Sequence, residues 1–545
     1  MKWSYRSEPT GQSLTDLHST DFAQVADLYH NQNPQLQETY RRREQTLNPK
    51  YTLPHRQQLV EALRPFLASV DAPSAARQEL ERLLDPQATV VVAGQQAGLF
   101  TGPLYSLYKA LSAVGLARRL EAELGKPVVP VFWIASEDHD WGEVDHAYLL
   151  DASDNVKRIR LPEAPLLHQM VHHYQVSRQS VQAVLEELAR TLPQGPWRSE
   201  VLEAVEACSR KSSTLVGWFA SLMYRLLGDT KLVMLDPCLP GLRQLVANVW
   251  SDVVTKRDEL AVNLDAKYAE VTRRGFEPAV IRDQLNTTLF YVTDGKRYVL
   301  ERTPSPNRLR VRGLGVEDSV QGWLHKIEES PTSFSSNVLL RPVVQDCLLP
   351  TLAFVGGPAE IAYHALSAAV FETLGRELPP LLLRDRLTLY PPTVLRSMEK
   401  WEISMADVGH PADLESHAVH ALGGTEFDMA YEQMLVQTKE RWQRWAKEHT
   451  ALGPQIQMMA EAQAKREAAG IHKTTQKAKN FLARVHETEV RQLRHIERWL
   501  WVDGHQQERR LCPLNFWTRY GFDWLLQLPF WGDYSLPRGI FDVQM

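Results

Sequence analysis

Residues 88–136 constrain the fold more than any other part of the chain. ATVVVAG (88–94) is a short β-branched run ending in Gly94. A run that is apolar on both faces fits a strand buried between two layers. QQAGLFTGPLY (95–105) is rich in glycine, and SLYKALSAVGLARRLEAEL (106–124) has helical spacing and closes at Gly125. KPVVPVFWIAS (126–136) then reads as a second buried strand. Strand, helix, strand at this spacing is a βαβ unit with a right-handed crossover. The chain therefore holds an α/β core, with ligands expected at the carboxyl ends of its strands.

The α/β rhythm continues with interruptions. KLVMLDP (231–237) is a third strand, and TLFYVTDGKRYVLE (288–301) places Asp294-Gly295 between two alternating runs, the pattern of a hairpin. Residues 335–374 hold a loop, a short apolar strand and Gly356-Gly357-Pro358 before a helix, and residues 379–392 offer a last strand. The expected organisation is N-terminal helices with the first half of the core (1–150), a first insertion (151–210), more core (211–240), a second insertion (241–330), the second half of the core (331–422), a helical arm (423–502) and a C-terminal segment packed on the body (503–545). The arm carries an apolar stripe, Ala478, Leu482, Val485, Leu493, Ile496 and Leu500, interrupted by Glu489. Such a seam predicts an antiparallel helical pair and a homodimer.

Charge and cysteine usage exclude several classes. Lys and Arg number 61 against 66 Asp and Glu, a net charge of −5, with no basic stripe, so nucleic acid is not an expected partner. The N-terminus has no apolar signal region, and no run reaches the ~18 apolar residues of a spanning helix. A cytoplasmic protein with no membrane partner is expected. The four cysteines, Cys208, Cys238, Cys347 and Cys512, form no CxxC pair. They read as reduced thiols, and no stoichiometric transition metal is expected.

Four segments carry residues suited to chemistry. In the first βα turn, Gln95, Gln96, Gly98, Thr101, Gly102 and Tyr105 precede a helix N-terminus whose unpaired N–H groups suit a phosphate or carboxylate. After the second strand come Glu137, Asp138, His139 and Asp140. These can recognise an amine or hydroxyls with His139 carrying a proton, ligate a metal together with His146, or cap a solvated loop. His168, His172 and His173 form a smaller cluster, of a kind that can bind a metal but that reads first as exposed histidines of the inserted element. Asn337, Arg341, Gln345 and Asp346 follow, with Arg341 as a carboxylate or phosphate clamp or one half of a structural ion pair. Gly356 and Gly357, with Glu360 in the next helical turn, form a second candidate anion site, and Arg384 can reach the same cleft.

The blocks VVVAGQQAGLFTGPLYSLYKALS, PVVPVFWIASEDHDWGEVDH, FSSNVLLRPVVQDCLLPTLAFVGGPAEIAYHA and LNFWTRYGFDWL occur in this order and resemble those of the BshC family. The resemblance implies a Rossmann-like, nucleotidyltransferase-type core with two insertions and a coiled-coil domain. It also implies a ligase that joins cysteine to the amine of glucosaminyl-malate, the last step of bacillithiol synthesis. An adenine nucleotide such as ATP, with Mg, is the expected activator. The chain departs from class I synthetases, which the fold is similar to: the turn reads Thr101-Gly102-Pro103-Leu104-Tyr105 instead of His-x-Gly-His, and no lysine-rich loop follows. Asp138 or Asp140 is expected to hold the amine, His139 to shuttle a proton and Arg341 to face a carboxylate. The rival readings are a metal-dependent amide hydrolase built on Glu137–His146 and a non-enzymatic coiled-coil scaffold.

Overall fold

The computed structural model describes residues 2–7, 11–405, 424–453, 455–485, 487–525, 528 and 539–545. Its core is a five-stranded parallel sheet. In chain order the core elements are β1 (Thr89–Gln95), α1 (Leu104–Leu124), β2 (Val128–Ile134), α2 (Leu215–Leu227) and β3 (Val233–Leu235). The second insertion then adds β4 (Asn286–Thr293), β5 (Lys296–Arg302), β6 (Arg308–Val311) and β7 (Glu317–Ser319), and β8 (Phe334–Ser336) follows it. The core resumes with β9 (Thr351–Gly356), α3 (Pro358–Thr373) and β10 (Leu381–Leu383). The parallel sheet runs β10-β9-β1-β2-β3. Val90, Val91 and Val92 are fully buried, as a strand covered on both faces requires.

This order fixes where a ligand can sit. The chain proceeds outward from β1 to β3, then returns to β9 on the other side of β1. The β1/β9 boundary is thus the switch point, where the two connecting loops diverge and leave a crevice at the carboxyl edge. Gly94, next to last in β1, lies close against β2: a Cβ there would stand 2.8 Å from the Trp133 carbonyl oxygen. The second insertion is an antiparallel sheet in the order β7-β6-β5-β4-β8. Its tight turn uses Asp294 and Gly295, both with positive φ (50° and 71°), as the hairpin signal requires.

Asp346 is a structural residue, which corrects its assignment to substrate binding. Its carboxylate accepts from Arg43 Nη2 at 2.6 Å and Arg376 Nη1 at 2.9 Å. Arg43 also donates from Nε to the Thr351 carbonyl at 2.7 Å, tying the helix Gln37–Leu47 to β9. The Arg43 and Asp346 side chains are 2% and 4% exposed. Removing one partner of a buried pair costs about 3–5 kcal/mol because the other charge is left uncompensated. Asp346→Ala is therefore expected to lower unfolding stability by about that much. Chemical denaturation measures it, and a loss below about 1 kcal/mol would show a surface-like pair instead.

The chain divides into two compact units, in the main Trp3–Thr388 with Glu508–Val543, and Leu389–Gln507. In the first unit the described part of the C-terminal segment from Glu508 onward lies against the core. The Leu511 carbonyl accepts from Leu104 N–H at 2.9 Å, and Phe516 and Trp517 are buried. The remainder of that expected packing, at 526–527 and 529–534, lies outside the described residues, as does the expected boundary at 422/423.

The second unit contains α4 (Gly424–Glu448), α5 (Gln455–Val485) and α6 (Glu487–Leu500). Tyr431 bonds His472 and Arg441 pairs with Glu467, so α4 and α5 run antiparallel. The expected stripe is not one continuous seam. Leu493, Ile496 and Leu500 are buried, whereas Val485 is 62% exposed. The side chains of Leu482 and Glu489 lie outside the described residues.

Candidate active site

A cavity of about 660 Å³ opens at the β1/β9 switch point. Gln95, Gln96 and Tyr105 reach it from β1 and α1, and Glu137 and Asp138 from the loop after β2. Asn337 and Arg341 enter after β8, Gly357 and Glu360 at the start of α3, and Arg384 after β10. The second insertion supplies Arg282, Phe290 and Arg297, so an element that looked peripheral in sequence walls the cleft.

Both proposed backbone anion sites are already occupied by the chain itself. Leu104 N–H at the start of α1 donates to the Leu511 carbonyl. Gly98, Thr101 and Gly102 are no part of the cavity lining. Gly102 N–H closes onto the Leu99 carbonyl at 2.9 Å, and Thr101 N–H onto the Gly98 carbonyl at 3.1 Å, so the turn is folded on itself. At α3, Gly357 N–H donates to Glu360 Oε2 at 2.7 Å, making Glu360 the anion at its own helix N-terminus. Gly356 lies outside the lining, its carbonyl accepting from Arg384 N–H at 2.9 Å. The sequence suggested open phosphate cradles; the structure fills them from within.

Glu360 also holds Lys109, a residue that motif reasoning missed. Lys109 Nζ pairs with Glu360 Oε2 and donates to the Gly94 carbonyl at 3.0 Å and Gln95 Oε1 at 2.9 Å. Burial lowers its pKa, opposed by Glu360. Its position in the second turn of α1 carried no signal beyond a lysine within an apolar run.

The roles expected of the loop after β2 need revision. Asp138 Oδ1 accepts from Arg297 Nη2 at 2.6 Å and Oδ2 from Gln96 Nε2 at 2.6 Å, so both oxygens are engaged and neither awaits an amine. Arg297 Nε donates to His139 Nδ1 at 2.7 Å. That bond places any proton of the neutral ring on Nε2. Burial, then the Arg297 charge, hold the His139 pKa below its ordinary value. His139 and Asp140 are not among the cavity residues, and Asp140 is exposed. Glu137 is paired with Arg243 at 2.6 Å. Asp138→Ala leaves the Arg297 guanidinium, 10% exposed, without its carboxylate. A loss of about 1–3 kcal/mol in stability is expected, the cost of an unsatisfied polar group. A thermal melt unchanged within error would contradict the pairing.

Two of the lining groups suit the chemistry best. Arg341 starts a short helix, Arg341–Leu348, with its guanidinium over the Trp133 and Phe354 rings at 5.9 and 5.4 Å. Its Nη1 donates to Gln345 Oε1 at 3.0 Å and Nη2 to the Tyr363 hydroxyl at 3.0 Å. Among the described residues it has no carboxylate partner within ion-pair distance. Gln345 lies outside the cavity and orients Arg341 rather than contacting a ligand. The second group is Glu143, which lines the cavity and which sequence reasoning passed over inside WGEVDH. Glu143 is exposed at the cavity lining, and partial burial of its carboxyl raises the pKa; Asp140 and Asp138 add to the rise and Gln96 opposes it.

The ligand set behind the hydrolase reading does not form. His146 Nδ1 is engaged by Asp145 at 2.7 Å, and His139 by Arg297. Among the described residues, the three-residue group able to hold an ion is His172, Asp236 and Cys238. His172 is thus not the free surface histidine the sequence suggested: its Nδ1 lies 2.7 Å from Asp236 Oδ2.

Known families share this architecture. The family profile "Bacillithiol biosynthesis BshC, N-terminal Rossmann-like domain" matches residues 1–385, and "Bacillithiol biosynthesis BshC, C-terminal coiled-coil domain" matches residues 387–529. The chain belongs to the BshC family. A Heliobacterium modesticaldum relative named "Putative cysteine ligase BshC" is 32% identical over 508 residues, covering 90% of each chain. BshC relatives of the same name from Geobacillus thermodenitrificans and Desulforamulus reducens are 31% and 29% identical, over 86% and 96% of this chain and 87% and 96% of their own lengths. The BshC core and coiled-coil domains meet near residue 386, close to the division between the two compact units at 388/389. No described helix is long and apolar enough to cross a membrane.

Proposed function

We propose that this chain is a carbon–nitrogen ligase that joins the carboxyl group of cysteine to the free amine of glucosaminyl-malate, the last step of bacillithiol synthesis. The observation that carries the reading is that one switch-point cavity is lined both by Arg341, which has no carboxylate partner among the described residues, and by Glu143, a carboxylate of raised pKa. Arg341 holds the malate carboxylates by a bidentate contact, its plane already fixed by Gln345 and Tyr363. Glu143 accepts the proton that the amine loses as its nitrogen attacks the cysteine carbonyl carbon. The C–N bond forms and the bond from that carbon to its activated oxygen breaks.

The cysteine carboxyl must reach the amine in an activated form. An adenine nucleotide with Mg remains the proposed activator, although the two glycine-lined turns do not fit its phosphates because Leu511 and Glu360 fill them. On the arm, Met429 and Phe481 are 62% and 69% exposed, which supports a homodimer; a monomer at micromolar concentration in light scattering would remove that part. The function itself is tested by incubating the purified protein with cysteine, glucosaminyl-malate and ATP. Mass spectrometry should find the amide, the sum of both substrates less one water. No adduct with any nucleoside triphosphate would refute the ligase reading.

A further inference from the structure

We propose that His172, Asp236 and Cys238 form a binding site for one thiophilic divalent cation of the zinc class. The three residues come from two separate places in the chain. His172 lies in the first insertion, Asp236 directly follows β3, and Cys238 is two residues further on. Their ligand atoms nevertheless all lie within 4.8 Å of one another. Imidazole nitrogen, carboxylate oxygen and thiolate sulfur are the donors zinc takes, and three protein ligands leave a fourth tetrahedral position for water or a small ligand.

The surroundings are those of a supported site. Ser136 Oγ donates to Asp236 Oδ1 at 2.5 Å, and Cys238 N–H donates to the same oxygen at 2.9 Å. These bonds fix the carboxylate and leave Oδ2 facing His172, as groups behind metal ligands commonly do. Arg243 Nη2 donates to Cys238 Sγ at 3.5 Å, with its own charge answered by Glu137 at 2.6 Å; burial and Asp236 push the thiol up to about 12 against this bond, so the metal must displace the thiol proton. One carboxylate, one thiolate and a neutral imidazole balance a charge of +2. Asp236 is buried, whereas the His172 side chain is 26% exposed and gives an ion a path in.

Binding is a proton exchange. The thiol proton of Cys238 and the proton shared between His172 Nδ1 and Asp236 Oδ2 leave to solvent as the metal bonds form. The 2.7 Å contact between those two atoms opens to about 3.3 Å, the separation set by two bonds of about 2.0–2.1 Å at a tetrahedral angle. These residues lie outside the main cavity lining, so metal binding is measurable without any assumption about the reaction.

The test uses the full-length protein, stripped with chelator and titrated with cobalt(II). The expected result is one ion per chain, with tetrahedral d–d bands and a near-ultraviolet sulfur-to-cobalt charge-transfer band. Cys238→Ser should abolish the charge-transfer band, and Cys512→Ser should leave it intact. His172→Ala should weaken binding by about 100-fold or more, since even groups that merely orient ligands cost about 10–100-fold. Absence of a charge-transfer band in the unmodified protein, or its survival in Cys238→Ser, overturns the site and leaves a hydrogen-bonded cluster. The unmodified protein decides the matter even if a variant fails to fold.

Discussion

Replacing Glu143 by glutamine is expected to slow adduct formation by about 10²–10⁴-fold, the usual cost of losing a positioned proton acceptor. The substitution keeps the shape and removes only the basic oxygen. Glu143 sits at the cavity and has no ion pair among the described residues, so the melting temperature should change little. The pH profile supplies an independent readout. The base form is required, and burial raises the carboxyl pKa. Activity of the unmodified enzyme should therefore fall as pH drops through that raised value, at a higher pH than an ordinary carboxylate would give. In Glu143→Gln this acid limb should vanish. An unchanged rate, or an unchanged acid limb, would remove Glu143 from the chemistry.

Replacing Arg341 by alanine should lower kcat/KM for glucosaminyl-malate by about 2–5 kcal/mol, or roughly 30- to 5,000-fold. The lower end is favoured because Arg341 is only half-buried. No ion pair is lost in the free protein, so stability should hold. Lysine should recover part of the activity at most, because an ammonium cannot match a carboxylate with two parallel bonds. The decisive comparison uses an acceptor whose malate carboxylates are masked. The unmodified enzyme and the variant should use it equally badly. If the alanine variant were still much worse on the masked acceptor, Arg341 would be serving something other than those carboxylates.

The core was legible because buried parallel strands are written as continuous apolar runs rich in β-branched residues, and Val90–Val92 and Val128–Ile134 are such runs. The strand order, and with it the switch point, was not, because order depends on which distant runs pair. Helix geometry explains the error at Asp346. Five residues at about 100° each turn the chain by about 500°, so Arg341 and Asp346 point about 140° apart. Arg341 faces the cavity with Gln345 behind it, and Asp346 faces Arg43, about three hundred residues earlier (|i−j| = 303). Arg297 was missed for the opposite reason: a hairpin inside an insertion gives no hint that it folds over the cleft. The glycine turns misled because glycine marks an unusual backbone conformation without saying what fills it. Here a carbonyl from Leu511 and the carboxylate of Glu360 do so. His172 and Asp236 stand 64 residues apart, and only the fold brings them into contact.

The central claim is that this chain performs the cysteine-adding step. Thiol profiling of its host, with and without the gene, tests it most directly. Cells lacking the protein should contain no bacillithiol and should accumulate glucosaminyl-malate, and the unmodified gene should restore the thiol where the Arg341→Ala gene restores little. Bacillithiol at the same level in cells without the protein would contradict the account.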